Sequence, residues 1–173
     1  AVAVIDCKRK DSEYPFKGLA GVGVVFKLTQ AISQRLGLEE KEYLKYLDIV
    51  CVGTISDIVP LVDENRVISK LGLKLIAQTR CLGLKSLLDV NVGKNSVINA
   101  NTVSFGIAPR INACGRIGYE QEAVKLFMTE NWVEARETTE KLNQYNRTRQ
   151  EIEKNIFEEA KEIIEKNSMQ NNN

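Results

Sequence analysis

Apolar residues recur along most of the chain at three-to-four spacing, the period that predicts helices rather than strands. The first helical stretch follows a glycine-rich start at 18–26 and runs through Val22, Val25/Phe26, Ala31/Ile32 and Leu36. A second helix is expected over 43–58 on Leu44, Leu47, Val50/Cys51, Ile55 and Ile58, although the β-branched run at 49–52 pulls towards strand. Pro60 stops it. Residues 64–77 are amphipathic on Val67, Ile68, Leu71, Leu75 and Ile76, and shorter helical segments are expected over 82–90, 101–107 and 120–128. Residues 2–5 read as a short buried strand, 6–17 as a polar turn, and 91–101 as a loop. From Trp132 to about Lys166 one amphipathic helix is expected, with its stripe on Val133, Leu142, Tyr145, Ile152, Ile156, Ala160 and Ile163. It would span on the order of 50 Å, more than a small core covers, and so reads as a connector to another domain. Residues 168–173 read as a frayed tail, and no internal repeat is visible.

The 173 residues, 43% hydrophobic and 27% charged, suit one ordinary core plus an appendage. No apolar run approaches the roughly 18 residues of a membrane span, and no secretory leader is visible, so no membrane partner is expected. The chain opens on Ala1-Val2-Ala3-Val4-Ile5 without Met, which reads as a fragment. The net charge of +1 neither requires nor excludes nucleic acid. Residues 132–166 hold nine acidic and seven basic side chains, so an anion-binding surface belongs to the rest. Cys7, Cys51, Cys81 and Cys114 include no Cys-x-x-Cys pair, and the chain has no His, which argues against zinc and removes the commonest general base. Reduced, buried thiols in a cytoplasmic protein are expected.

Three features carry candidate chemistry. Asp57 stands in the otherwise apolar or small run 52–61, where an ionised carboxylate is costly to bury unless a metal ion, an arginine or a helix N-terminus pairs with it. It falls near the C-terminal end of its expected helix, where the dipole does not favour an anion. An N-cap or a buried salt bridge is the plainer alternative. Arg110, Asn112 and Arg116, with Gly115 before the second arginine, place two guanidiniums and an amide in an expected glycine-containing turn. The planar fork of arginine suits phosphate, and an arginine pair that ties helix C-termini together is the alternative. In the glycine-rich run, Gly21 and Gly23 allow either close helix packing or approach of backbone N–H groups to an anion at a helix start.

The runs Tyr14-Pro15-Phe16-Lys17-x-Leu19-Ala20-Gly21-Val22-Gly23-Val24-x-Phe26-Lys27, Gly53-Thr54-Ile55-x-Asp57-Ile58-Val59-Pro60-Leu61 and Ala108-Pro109-Arg110-Ile111-Asn112-Ala113-x-Gly115-Arg116 resemble the DHH phosphoesterase superfamily. Within it they look most like the bacterial RecJ single-strand-specific exonucleases, and the resemblance covers nearly the whole chain. It implies an α/β fold, here a helix-dominated fragment: the C-terminal part of a parallel-sheet catalytic domain at 1–131, an inter-domain helix at 132–167 and a disordered tail at 168–173. It implies 5′-to-3′ degradation of single-stranded DNA, in recombination and repair, with Mn²⁺ or Mg²⁺ at a two-metal site. By the same resemblance Asp57 is a catalytic metal ligand, and Arg110, Asn112 and Arg116 hold DNA phosphates, with Arg116 at the 5′-phosphate end. The family's other metal ligands, including the Asp-His-His signature, belong upstream of Ala1, so the site is incomplete and the chain alone is expected to be inactive. Two other readings stay open: a phosphodiesterase for short oligoribonucleotides or cyclic dinucleotides, and an inactive scaffold.

Overall fold

The computed structural model describes residues 3–92, 97–116 and 118–166. The helices are α1 (Gly21–Arg35), α2 (Lys41–Leu44), α3 (Leu47–Ser56), α4 (Asp63–Ile76), α5 (Leu82–Asn91), a π-helix (Thr102–Ile107), α6 (Ala108–Arg116), α7 (Glu120–Met128) and α8 (Trp132–Lys166). The expected helix over 43–58 is two pieces, because the Tyr46 N–H bonds back to the Tyr43 carbonyl and tightens the chain before α3 begins. Among the described residues there is no strand. Ala3, Val4 and Ile5 run irregularly with Val4 63% and Ile5 58% exposed, and Val2 lies outside the described residues. A strand is completed only by a neighbour that takes its backbone hydrogen bonds. The tail at 168–173 and the loop positions 93–96 also lie outside the description.

α3 is the centre. Leu47, Val50, Cys51, Val52, Thr54 and Ile55 are all buried, as befits a helix apolar all round. Two glycines let neighbours close on it. A Cβ on Gly72 of α4 would meet Cys51 Cβ at 2.2 Å, and one on Gly53 of α3 would meet Val22 Cγ1 of α1 at 2.8 Å. Asp48 is the buried carboxylate of α3. Its Oδ2 accepts from the Thr79 hydroxyl at 2.6 Å and its Oδ1 from the Ile49 N–H at 2.7 Å.

α8 packs only along its first half, on α5, α6 and α7, through Ala135, Thr138, Thr139, Leu142, Asn143 and Asn146. The buried stripe therefore differs from the expected one. Val133, Ile152, Ile156 and Ile163 are exposed, and every residue from Gln150 to Lys166 faces solvent. That half projects roughly 25 Å from the body at 1.5 Å per residue.

Candidate functional site

Asp57 is the C-cap of α3, with its backbone N–H on the Gly53 carbonyl at 3.0 Å. Its position at the helix end matches the sequence reading, but its side chain is exposed. The burial cost argued for Asp57 falls on Asp48 instead, and hydrogen bonds meet it there. Among the described residues the Asp57 carboxylate has no hydrogen-bond or ion-pair partner. The next residue, Ile58, ends the helix at φ 55, the left-handed region that glycine normally takes at this place. A β-branched residue there is strained by about 1–2 kcal/mol, and strain of this kind clusters at functional sites.

The turn after Asp57 forms one wall of a groove of about 510 Å³ whose lining includes Ile58, Val59, Phe105, Asn112, Arg116 and Arg149. Asn112 and Arg116 are exposed and keep their side-chain donors free among the described residues. The segment that carries them is a helix, not the turn expected from Gly115. Pro109 is the second residue of α6, which continues the π-helix without a break, so its missing N–H leaves a carbonyl one turn back without its usual partner.

Arg110 has other partners. Pro109 has no N–H to offer the Phe105 carbonyl four residues back, and Arg110 Nη1 donates to that carbonyl at 2.8 Å. Its Nε donates to Asn143 Oδ1 of α8 at 3.3 Å. Arg110 thus ties the π-helix to α8 behind the groove, and partial burial pushes its guanidinium pKa down.

Sequence reasoning missed two groove residues. Arg149 reaches the groove from α8, 26% exposed, with Nη1 on Glu153 Oε2 at 2.9 Å and a buried Nε that has no partner. The available signal was the three-residue spacing of Asn143, Asn146 and Arg149, polar residues on the inward face of a helix. Phe105 lines the groove from the π-helix while 74% exposed. Nothing in a single apolar residue of 101–107 marked it.

Gly21 and Gly23 lie outside the groove, and the segment just before them is tied at Gly18 to the loop after Asp57. Asn65 Nδ2 donates to both the Gly18 carbonyl at 2.8 Å and the Pro60 carbonyl at 3.0 Å. Gly23 is a packing residue, since a Cβ there would meet Leu19 Cδ2 at 3.2 Å, whereas Gly21 opens α1 with nothing within 4 Å. Gly21→Ala is expected to leave thermal stability equal or raise it by up to about 1 kcal/mol. A melting-temperature measurement checks this, and a fall of several degrees would show a constraint on Gly21 that the open surroundings do not explain.

The donor set does not make a metal site by itself. Among the described residues no three His, Cys, Asp or Glu side chains cluster to hold an ion. Asp57 offers one hard, unpartnered carboxylate of the kind Mg²⁺ and Mn²⁺ take, and among the described residues it belongs to no group of three such ligands.

No family model matches the chain. The chain is 42% identical over 167 residues to the single-stranded-DNA-specific exonuclease RecJ of Bacillus subtilis, covering 96% of this chain and 20% of that protein. It is 34% identical over 176 residues to the RecJ of Escherichia coli, covering 96% of this chain and 30% of the relative. Among solved structures, RecJ of Thermus thermophilus in complex with Mg²⁺ superposes with a TM-score of 0.78 at 35% identity, covering 85% of this chain and 23% of that one. An exonuclease RecJ bound to manganese superposes at 0.76 and 36% identity, covering 85% and 37%. The relatives of this chain are thus RecJ exonucleases, and it spans about a fifth to a third of the curated ones described here.

Proposed function

We propose that the chain is a segment of a metal-dependent, 5′-to-3′ single-stranded-DNA exonuclease, acting by phosphodiester hydrolysis in recombination and repair. The observation that supports this best is the groove. It sets the turn after an unpartnered carboxylate beside Asn112 and two guanidiniums, in a chain whose relatives are RecJ exonucleases. A carboxylate that flanks in sequence the wall of a groove carrying guanidiniums suits a ligand that is itself an anion held with a cation, and a phosphodiester with a divalent metal is such a ligand.

In this reading Asp57 is one ligand of a two-metal Mn²⁺ or Mg²⁺ site completed by residues outside the chain. When bound, such a pair supplies an activated water and neutralises the leaving oxygen. This chain's own residues bind and orient: Asn112 and Arg116 hold phosphate, Arg149 adds a second guanidinium, and Arg110 positions the π-helix that faces them. The strained Ile58 turn fixes the direction in which Asp57 leaves α3. Residues 1–131 would then belong to a parallel-sheet catalytic domain, and the helix from Trp132 would lead to a second one. The 173 residues alone would neither hold Mn²⁺ tightly nor degrade DNA.

The test is substrate choice by the complete protein that carries this chain. With Mn²⁺ it should degrade long 5′-phosphorylated single strands in preference to duplexes and to dinucleotides. Arg116→Ala should lose the preference for a 5′-phosphate over a 5′-hydroxyl by about tenfold or more, the weight of one charge-assisted contact of roughly 1.5–3 kcal/mol. Faster turnover of dinucleotides, or an unchanged end preference, would count against the reading.

A further inference from the structure

The phosphate reading uses only the polar rim of the groove. Its floor and far wall are apolar, and the most exposed ring that faces it is unused. Phe105 leaves 74% of its surface open on a π-helix, the irregular helical turn that recurs at functional sites. Several other aromatic faces are already occupied: Tyr119 and Tyr145 stack on each other with centroids 4.8 Å apart and planes at 12°, and Lys85 lies over Trp132 at 5.9 Å, while Phe157, 65% exposed, lies outside the groove on the projecting half of α8. Phe105 has no ring contact among the described residues. Its backbone, by contrast, is held, through the Arg110 bond to its carbonyl and the tie from Arg110 to Asn143. A free ring on a fixed backbone, in a groove with Arg116 and Arg149 on its rim, matches a ligand with a flat apolar face and an anionic edge.

We propose that Phe105 seats a nucleobase of the single strand by ring stacking, while Arg116 and Arg149 take the phosphates that flank it. This rests on the exonuclease reading and adds to it a contact that is indifferent to base identity, since every base has a π-face. The apolar wall formed by Ile58 and Val59 would keep water from the stacked base.

The experiment uses the complete protein with divalent metal chelated, so that binding is read without cleavage. Affinity for a 5′-phosphorylated single strand is measured by anisotropy, and single abasic positions are scanned along the strand. At one position the unmodified protein should lose about tenfold on removal of the base, within the range a single base–aromatic stack carries. Phe105→Ala should lose about tenfold on the intact strand and nothing further on that abasic strand, while Phe105→Trp should bind like the unmodified protein. Phe105→Ala binding the intact strand within twofold, or keeping its sensitivity to the missing base, would overturn the proposal. So would a melting temperature lowered by several degrees with base sensitivity intact, which would mean that another part of the protein covers the ring. Failure of the unmodified protein to bind single strands at all would instead sink the exonuclease reading.

Discussion

Asp57→Asn in the complete protein is expected to lower Mn²⁺-dependent cleavage of single-stranded DNA by about a thousandfold or more. At tenfold per roughly 1.4 kcal/mol, that corresponds to the several kcal/mol a metal-bound transition state loses with a ligand. The side chain is exposed and unpartnered, so the fold has no stake in the charge. The melting temperature should stay within about a degree or two, in the range of surface substitutions. Binding of the strand with metal chelated should survive, and should tighten slightly, because a negative charge is removed beside a phosphate seat. These three readouts separate a ligand from a structural residue. Cleavage within tenfold of the unmodified protein would remove Asp57 from the metal centre. A large fall in melting temperature would mean that the turn at φ 55 after Asp57 depends on the carboxylate.

How much of this was legible in the sequence depends on what each feature rests on. The helices were, because apolar residues recur at three-to-four spacing along each, but the buried face was not: of the α1 stripe only Phe26 is buried while Val25, Ile32 and Leu36 are exposed, and Val67 and Leu71 of α4 and Val124 of α7 are exposed too. The end of α3 was legible too, from Pro60 and the run before it. The exposure of Asp57 was not. Sequence neighbours are apolar around both Asp48 and Asp57, but Asp48 lies mid-way along a surrounded helix with Thr79 in reach, while Asp57 lies past its last turn. Local composition cannot distinguish those places; tertiary packing does. The same holds for Arg110 and Arg116. Six residues apart in one motif, they point to different roles because Pro109 leaves the Phe105 carbonyl for one of them to fill. The groove itself joins α3, the π-helix, α6 and α8, elements up to about 90 residues apart, and no local pattern announces it.

The sharpest structural demand falls on a glycine that carries no chemistry. Gly83→Ala is expected to destabilise the fold by about 3 kcal/mol or more, beyond the usual cost of overpacking. A Cβ there would stand 2.0 Å from the Leu126 carbonyl oxygen and 2.7 Å from its carbonyl carbon. Those are backbone atoms of α7, so no side-chain rotation relieves the clash, and α5 and α7 must move apart. Leu126 is fully buried between them, and α7 also packs on α6 and α8. Separation would therefore be felt by the helix that carries Asn112 and Arg116. At about 2–4 °C per kcal/mol for a domain of this size, a loss of 3 kcal/mol lowers the melting temperature by roughly 6–12 °C. Gly115→Ala is the control: it is helical, its Cβ meets nothing within 4 Å, and it should be neutral or stabilising. Equal melting temperatures for the two variants would show that α5 and α7 do not approach as closely as described. The expected inequality would show that the groove is held in place from behind, through helices that never touch it.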